Sequence, residues 1–410
     1  MSKSNRIVKN TAMLYIMNIA KLVFPFLTLP YLTRVLSVEG YAMVSYVKSV
    51  MQYMQLLMDF GFMLSATTAI VSAEGDGKKI GSIVSNTILA KLLLCGAALI
   101  ILAVMTAAID LLRQNTAYVL LSFVTVALSA FLVDYLFRGL EQMQEITIRF
   151  VTMKGIATAL TFFFVRGDGD LLWIPLLDIL GTAVSLVLVW LRVRKYGISL
   201  CVPQLRAAWQ QLKDSARYFV SEIATTAFGA LNTLVIGIML PAAQIALWSV
   251  AMQIISAVQV MFSPITNGIY PEMVRNRSGG LLKKVCALFI PVLLLGCGAL
   301  YFLAEPAILI VSGPKYLDAV PVLRYLIPVL IFSFPAMLFG WPALGALGRV
   351  KETTATTVIS AVFQCAGLGA LIIAGQFTIM NIALLRCATE LILLTGRLGF
   401  CIRFRKEFNP

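Results

Sequence analysis

The 410-residue chain contains no histidine. That absence removes Ser-His-Asp and Cys-His triads, HExxH zinc sites and histidine proton relays, so any proton traffic must use Asp or Glu. Charge is scarce as well: Asp, Glu, Lys and Arg make up 13% of the residues, against about 25% in a soluble domain. Seven cysteines (Cys95, Cys201, Cys286, Cys297, Cys365, Cys387 and Cys401) are scattered with no C-x-x-C spacing. Neither disulfides nor a metal site is expected, and no cofactor. Long polar stretches are also missing, which leaves no room for a sizeable soluble domain.

What is present is apolar: 60% of the residues are hydrophobic and the mean hydropathy is +0.90. A bilayer core of about 30 Å needs roughly 20 apolar residues per helical crossing. Such segments recur near 11–33, 41–68, 81–108, 116–137, 147–165, 171–191, 216–238, 246–270, 284–311, 320–345, 354–374 and 377–401. The expected fold is an all-α membrane protein with twelve transmembrane helices in two six-helix lobes. The basic start "MSKSNRIVKN" runs into a long span without a small-residue cleavage site, so the first helix is expected to be retained.

The connection "RVRKYGISLCVPQLRAAWQQLKDSAR" divides the helices six and six. The expected parts are an N-terminal lobe over 1–195, a cytoplasmic linker over 196–215 and a C-terminal lobe over 216–410. At an offset of 204, "NIAKL" lies over "EIATT" and "AMVSYVKSVM" over "ALWSVAMQII". Six is even, so the repeats would be related by a pseudo-two-fold axis along the membrane normal, as in several transporter folds.

A net charge of +14 raises the question of nucleic acid, but basic residues in a polytopic chain first report topology. With both termini in the cytoplasm, 22 Lys and Arg fall on the cytoplasmic side, including Arg138 and Arg149, and five (Arg34, Arg113, Arg166, Lys315, Arg324) on the other. That asymmetry accounts for most of the basicity, and nucleic acid is not expected as a partner.

Polar residues in four helices follow a 3.6-residue period that puts them on one face. The second helix carries Tyr41, Ser45, Lys48, Gln52, Gln55 and Asp59, and the first carries Tyr15, Asn18, Lys21, Pro25 and Thr28. The seventh has Glu222, Thr225, Gly229 and Asn232, and the eighth Ser249, Gln253, Ser256, Gln259, Ser263 and Asn267. Such residues also glue packed helices together. A lysine in mid-membrane costs about 2.5–3.5 kcal/mol and so faces protein or water. Lys21 and Lys48 have no acid three or four residues away; they imply an anionic group, and their neutral neighbours suit hydroxyl-rich material. A lipid-linked sugar phosphate offers both. Asn18, Ser45, Gln52, Gln55, Gln253 and Asn267 complete the candidate passage.

Other charges divide by their neighbours. Asp134 and Arg138, four apart, are expected to pair locally, and Arg386 with Glu390 to form a buried pair. Lys91 resembles Lys48, whereas Lys154 is expected to snorkel to the cytoplasmic end. Glu222 is the candidate for ion coupling, and Asp59, just before "GFMLSATTAIVS", for a cytoplasmic gate or a helix-kink cap. Pro25, Pro30 and Gly61 are candidate bending points.

Five segments then carry a resemblance. "LPYLTRVLSVEGYAMVSY", "DFGFMLSATTAIV", "DYLFRGLEQM", "SPITNGIYPEM" and "GPKYLDAVPVLR" occur in order along the chain. Together they resemble the Wzx-type O-antigen and polysaccharide-repeat flippases of the multidrug/oligosaccharidyl-lipid/polysaccharide exporter superfamily. The resemblance implies a flippase rather than an enzyme, carrying an undecaprenyl-diphosphate-linked oligosaccharide from the cytoplasmic to the periplasmic leaflet of the inner membrane. Alternating access would run through a central cationic and polar cavity lined by helices one, two, seven and eight. It also implies polysaccharide polymerase machinery as a partner, with a single chain sufficient for transport. A multidrug antiporter of the same superfamily is the rival; it predicts an acid-rich first lobe, which Lys21 and Lys48 oppose. A major-facilitator transporter is opposed by "SAEGDGKKIGS", which lacks that family's Gly-x-x-x-Asp-Arg pattern. An enzyme would need larger loops than "PAAQ" and "GQFT".

Overall fold

The computed structural model describes residues 3–73 and 75–409; side chains at 3–8, 11, 217, 220–221 and 224–229 lie outside the description. Among the described residues seventeen α-helices run in order: α1 (Lys3–Val35), α2 (Val38–Asp59), α3 (Phe62–Ser72), α4 (Gly77–Ala108), α5 (Asp110–Gln114), α6 (Thr116–Leu128), α7 (Asp134–Gly139), α8 (Met143–Phe164), α9 (Trp173–Lys195), α10 (Leu205–Met239), α11 (Ala242–Val260), α12 (Phe262–Asn276), α13 (Gly279–Phe302), α14 (Ala304–Ser312), α15 (Ala319–Leu338), α16 (Val350–Ile373) and α17 (Ile379–Arg403). Among the described residues the extended pairing is confined to a single bridge, Ser278 with Asn409.

Eleven stretches are long and apolar enough to cross a membrane among the described residues. In the position of the expected seventh crossing stands α10, of which Ala230–Met239 is the described apolar part. The chain divides into two compact units, Met1–Thr226 and Ala227–Pro410. Residues 205–215 are already helical, and Ala208 and Leu212 pack with Phe62 and Ala90 in the first unit.

Side-chain caps explain several helix starts. Ser37, Asp76, Ser278 and Thr378 each accept a backbone N–H of the following turn, opening α2, α4, α13 and α17. Breaks divide three of the crossings: α2 from α3 at Phe60 and Gly61 (φ 39° and 77°), α6 from α7 through a 3-10 turn at Ser129–Phe131, and α11 from α12 at Met261. Of the expected bending points only Gly61 interrupts its helix. Pro25 and Pro30 sit inside continuous α1.

In the first unit α8 packs along both α1 and α9. The α8–α9 seam is a ladder. Ser185 Oγ donates to the Arg149 carbonyl at 3.2 Å, Gly181 abuts Met153, and Asp178 meets Lys154. A Cβ at Gly181 would stand 2.4 Å from the Met153 carbonyl oxygen, so glycine is what lets the two backbones close.

In the second unit α15 packs on α11 and α17, and α16 on α17. A sharp turn follows α15: Phe339–Gly345 is π-helical, with Gly340 at φ −73° and ψ −109°. Beside it, Arg397 Nη1 donates to the Ala336 carbonyl at 2.7 Å, and the guanidinium occupies the space a Cβ on Gly340 would need.

Candidate functional site

Along α2 the apolar side chains are the hidden ones. Ala42, Met43, Val44, Tyr46, Val47, Val50, Met51, Met54 and Met58 are buried against the first unit, while Lys48 and Gln52 are exposed and Ser45 and Gln55 half-buried. On a helix facing lipid this would be reversed. On α13, by contrast, large apolar side chains such as Leu288, Val292, Leu294, Leu295 and Phe302 are exposed.

Lys48 stands midway along α2 and makes no hydrogen bond or ion pair among the described residues. Lys21 on α1 is likewise exposed, with Nζ 5.8 Å from the centroid of the Phe150 ring on α8. At about 100° per residue, Asn18, Lys21, Pro25 and Thr28 lie opposite the exposed apolar set Ile16, Ile19, Val23, Phe26 and Leu27. Thus α1 has two accessible faces of opposite character.

One turn beyond Phe150, Lys154 joins the same face of α8. It sits midway along the helix rather than near its end, and Nζ lies 2.9 Å from Asp178 Oδ1 of α9. That corrects the expected snorkelling. Lys48 is within electrostatic reach of both members of this pair. Lys154 and Asp178 therefore belong to the site although sequence reasoning left them out. The available signal was Asp178 itself, a lone acid inside "WIPLLDILGTAV".

A second cluster surrounds the break between α2 and α3. Asp59, the last residue of α2, accepts from Lys91 Nζ at 2.9 Å and from Gln55 Nε2 at 2.9 Å, and Ser129 Oγ donates to Gln55 Oε1 at 3.0 Å. Lys91, expected to behave like Lys48, is only 4% exposed and is neutralised by Asp59. A carboxylate at a helix C-terminus opposes the helix dipole, and the Lys91 ammonium offsets that. Across the break, the Gly61 N–H donates to Glu222 Oε2 at 3.1 Å. Glu222 thus stands at the N-terminus of α3, where the dipole favours an anion. Phe60 stacks on Phe219 with centroids 4.3 Å apart, and Ser65 and Ser215 hydroxyls bond at 2.5 Å.

Asp134 does not pair with Arg138 as expected; it accepts from Arg149 Nη2 at 2.5 Å, and both are largely buried. Arg149, counted among the cytoplasmic basic residues, is therefore a helix-packing group inside α8.

In the second unit, Ser249, Gln253 and Ser256 of α11 are half-buried while Trp248, Val250, Ala251, Ile254 and Ile255 are buried; Asn267 of α12 is exposed. Asn232, expected on an accessible stripe, is fully buried: its Oδ1 accepts from Gln364 Nε2 at 2.8 Å, and Gln364 Oε1 accepts from Thr389. Arg386 Nη2 meets Glu390 Oε1 at 2.6 Å, with both side chains buried. Thr225 and Gly229 lie outside the described side chains. Among the described residues no cluster of His, Cys, Asp or Glu could hold a metal ion.

This is a multi-pass, all-helical membrane protein, and its fold is shared with solved transporters. "Lipid II flippase MurJ, inward closed conformation" aligns with a TM-score of 0.72 at 14% identity, over 98% of this chain and 89% of that one. A "multidrug resistance MATE family transporter of the MOP superfamily" in an inward-facing conformation aligns at 0.66 and 14% identity, over 96% and 94%. The chain belongs to the family described as "Polysaccharide biosynthesis protein", whose profile matches residues 7–277. The "Putative O-antigen transporter" of Escherichia coli (strain K12) is 27% identical over 323 residues, 77% of this chain and 78% of that protein. The family resemblance read from the five motifs is borne out.

Proposed function

We propose that this chain is a flippase, not an enzyme, for a lipid-linked oligosaccharide, and that the lipid carrier is an undecaprenyl diphosphate. The headgroup rides on the accessible face of the first unit. Lys21 and Lys48 attract its diphosphate, while Asn18, Ser45, Gln52 and Gln55 exchange hydrogen bonds with sugar hydroxyls. Gln253 and Asn267 supply similar groups in the second unit. The polyprenyl tail stays in the bilayer. Transport runs from the cytoplasmic to the periplasmic leaflet of the inner membrane by alternating access, with both termini cytoplasmic.

The observation that carries this reading is an inverted helix in a chain of this family: α2 hides its methionines and valines and leaves a lysine accessible at mid-length. The fold alone does not choose between a glycolipid and a multidrug substrate, since both kinds of transporter share it. Two unpaired cations favour the anionic ligand. Glu222 and Asp59 act at the α2–α3 break. Glu222→Gln would weaken the cap on Gly61 and tests an ion-coupling role there, read as loss of dependence on an imposed proton or sodium gradient.

The deciding experiment replaces Lys21 and Lys48 with Ala, singly and together, in cells whose surface polysaccharide depends on this protein. The double variant should lower surface glycan about tenfold or more, one decade corresponding to about 1.4 kcal/mol, at unchanged protein level. Normal glycan in the double variant overturns the reading.

A further inference from the structure

We propose that Asp178 is an exchangeable counter-ion for Lys154, which the diphosphate of the ligand displaces on binding and which returns to expel it. This rests on the headgroup reading above and deepens it. Four observations carry it. First, lysines from three helices are spread along one stretch of α8: Lys21 over Phe150, Lys154 one turn further on, and Lys48 within reach of the Lys154–Asp178 pair.

Second, the pair is open. Its side chains are 38% and 33% exposed, against 9% and 16% for Arg149 with Asp134 and 5% and 7% for Arg386 with Glu390. A ligand oxygen can reach Lys154 without unfolding anything. Third, the partners are held in register by rigid backbone. Gly181 lets α9 close on Met153 next to Lys154, and Thr182 Oγ1 donates to the Asp178 carbonyl at 2.7 Å. Asp178 therefore remains beside Lys154 when displaced.

Fourth, the charges match. Lys21, Lys48 and Lys154 less Asp178 leave two positive charges on this face, and a diphosphate esterified at both ends carries two negative ones. With Asp178 absent the face would hold three positive charges and bind the ligand too well to release it. A transporter needs comparable affinity before and after crossing, because binding the ligand tightly without weakening at release only slows turnover. Asp178 supplies the competing anion.

The test uses the full chain in nanodiscs of zwitterionic lipid, with a fluorescent polyprenyl diphosphate as the probe and flipping measured in proteoliposomes. Asp178→Asn should tighten binding several-fold and slow flipping, while Lys154→Gln weakens binding about tenfold. In the Lys154→Gln background, Asp178→Asn should tighten binding clearly less than it does in the parent. A merely structural pair would give the opposite pattern: Asp178→Asn lowers the melting temperature and binding stays the same or weakens. That outcome overturns the proposal, as does tightening of undiminished size without Lys154. If Asp178→Asn proves unstable, Lys154→Gln decides alone, and unchanged binding sinks the idea. Lys48→Ala separates the two levels. If it too leaves probe binding unchanged, the headgroup reading fails; if it weakens binding while Asp178→Asn does not tighten it, only the counter-ion role falls.

Discussion

Lys48 lies midway along α2 with its ammonium accessible and without an ion pair, whereas Arg386 in α17 is sealed in the second unit and bonded to Glu390. The contrast extends to their neighbours. The first unit leaves Lys21 exposed and keeps the Lys154–Asp178 pair half open. The second hides Asn232, Gln364, Thr389, Glu390 and Arg397 completely or nearly so. A charge inside an apolar helix costs several kcal/mol wherever it sits. In the second unit that cost is offset by bonds made on folding, such as the Arg397 link that closes the kink at Gly340. In the first unit it is left partly uncompensated, as the proposed headgroup contact requires.

Breaking that comparison starts with the largest effect. Glu390→Ala should leave Arg386 buried without its carboxylate, at a cost of about 3–5 kcal/mol, and so lower the melting temperature of the detergent-solubilised protein sharply. Lys48→Ala should leave melting within error of the parent and act on transport alone. A pair of measurements giving the reverse, a stable Glu390→Ala and an unstable Lys48→Ala, would abolish the division of labour between the units.

How far the sequence anticipated this depends on whether a residue's partner lies on its own helix. Arg386 and Glu390 are four residues apart and meet as the helical period requires. The stripe from Ser45 to Gln55 was equally legible, because all its members sit on one helix and period alone decides their face. Asp134 chose Arg149 over Arg138, and Lys154 chose Asp178, because helix packing brought those partners together. Nothing in the local pattern encodes which of two reachable cations an acid will take. The kink at Gly340 was hidden for the same reason, since its cap comes from Arg397 on another crossing. Gly61 was flagged, while its anchor Glu222, 161 residues away, was read as an ion-coupling candidate and not as the partner of the Gly61 amide.

A middle-sized effect probes that anchor. Gly61 has φ +77°, and a Cβ there would lie 2.7 Å from the Tyr218 Cβ and 2.8 Å from the Ser215 carbonyl oxygen. Gly75 has a similar φ of +81° with nothing within 4 Å. Substituting Ala at Gly75 should therefore cost only the left-handed backbone strain, about 1 kcal/mol. Gly61→Ala adds a steric clash that pushes α10 from the break, raising the loss to about 2–3 kcal/mol. Equal melting temperatures for the two variants would mean that the break is not held by α10.

The smallest effect concerns the polar loop that opens α4, where the charges face water and neither unit's logic applies. Asp76 accepts the Lys78 and Lys79 amides at 3.0 and 3.2 Å, and these bonds, with the two nearby ammonium groups, hold its carboxyl below the usual carboxylate range. A lowered folded-state value means that the cap is fully present above the ordinary carboxylate range and is lost only as pH falls through the lowered one. Asp76→Ala should speed hydrogen exchange at the Lys78 and Lys79 amides at neutral pH and leave global melting unchanged, because only the first turn of α4 frays. In the parent, the same amides should lose protection only in acid. Exchange that stays slow in the variant would show that the first turn is held by tertiary packing, with Ile80 and Val84 in the core behind it, and not by its cap.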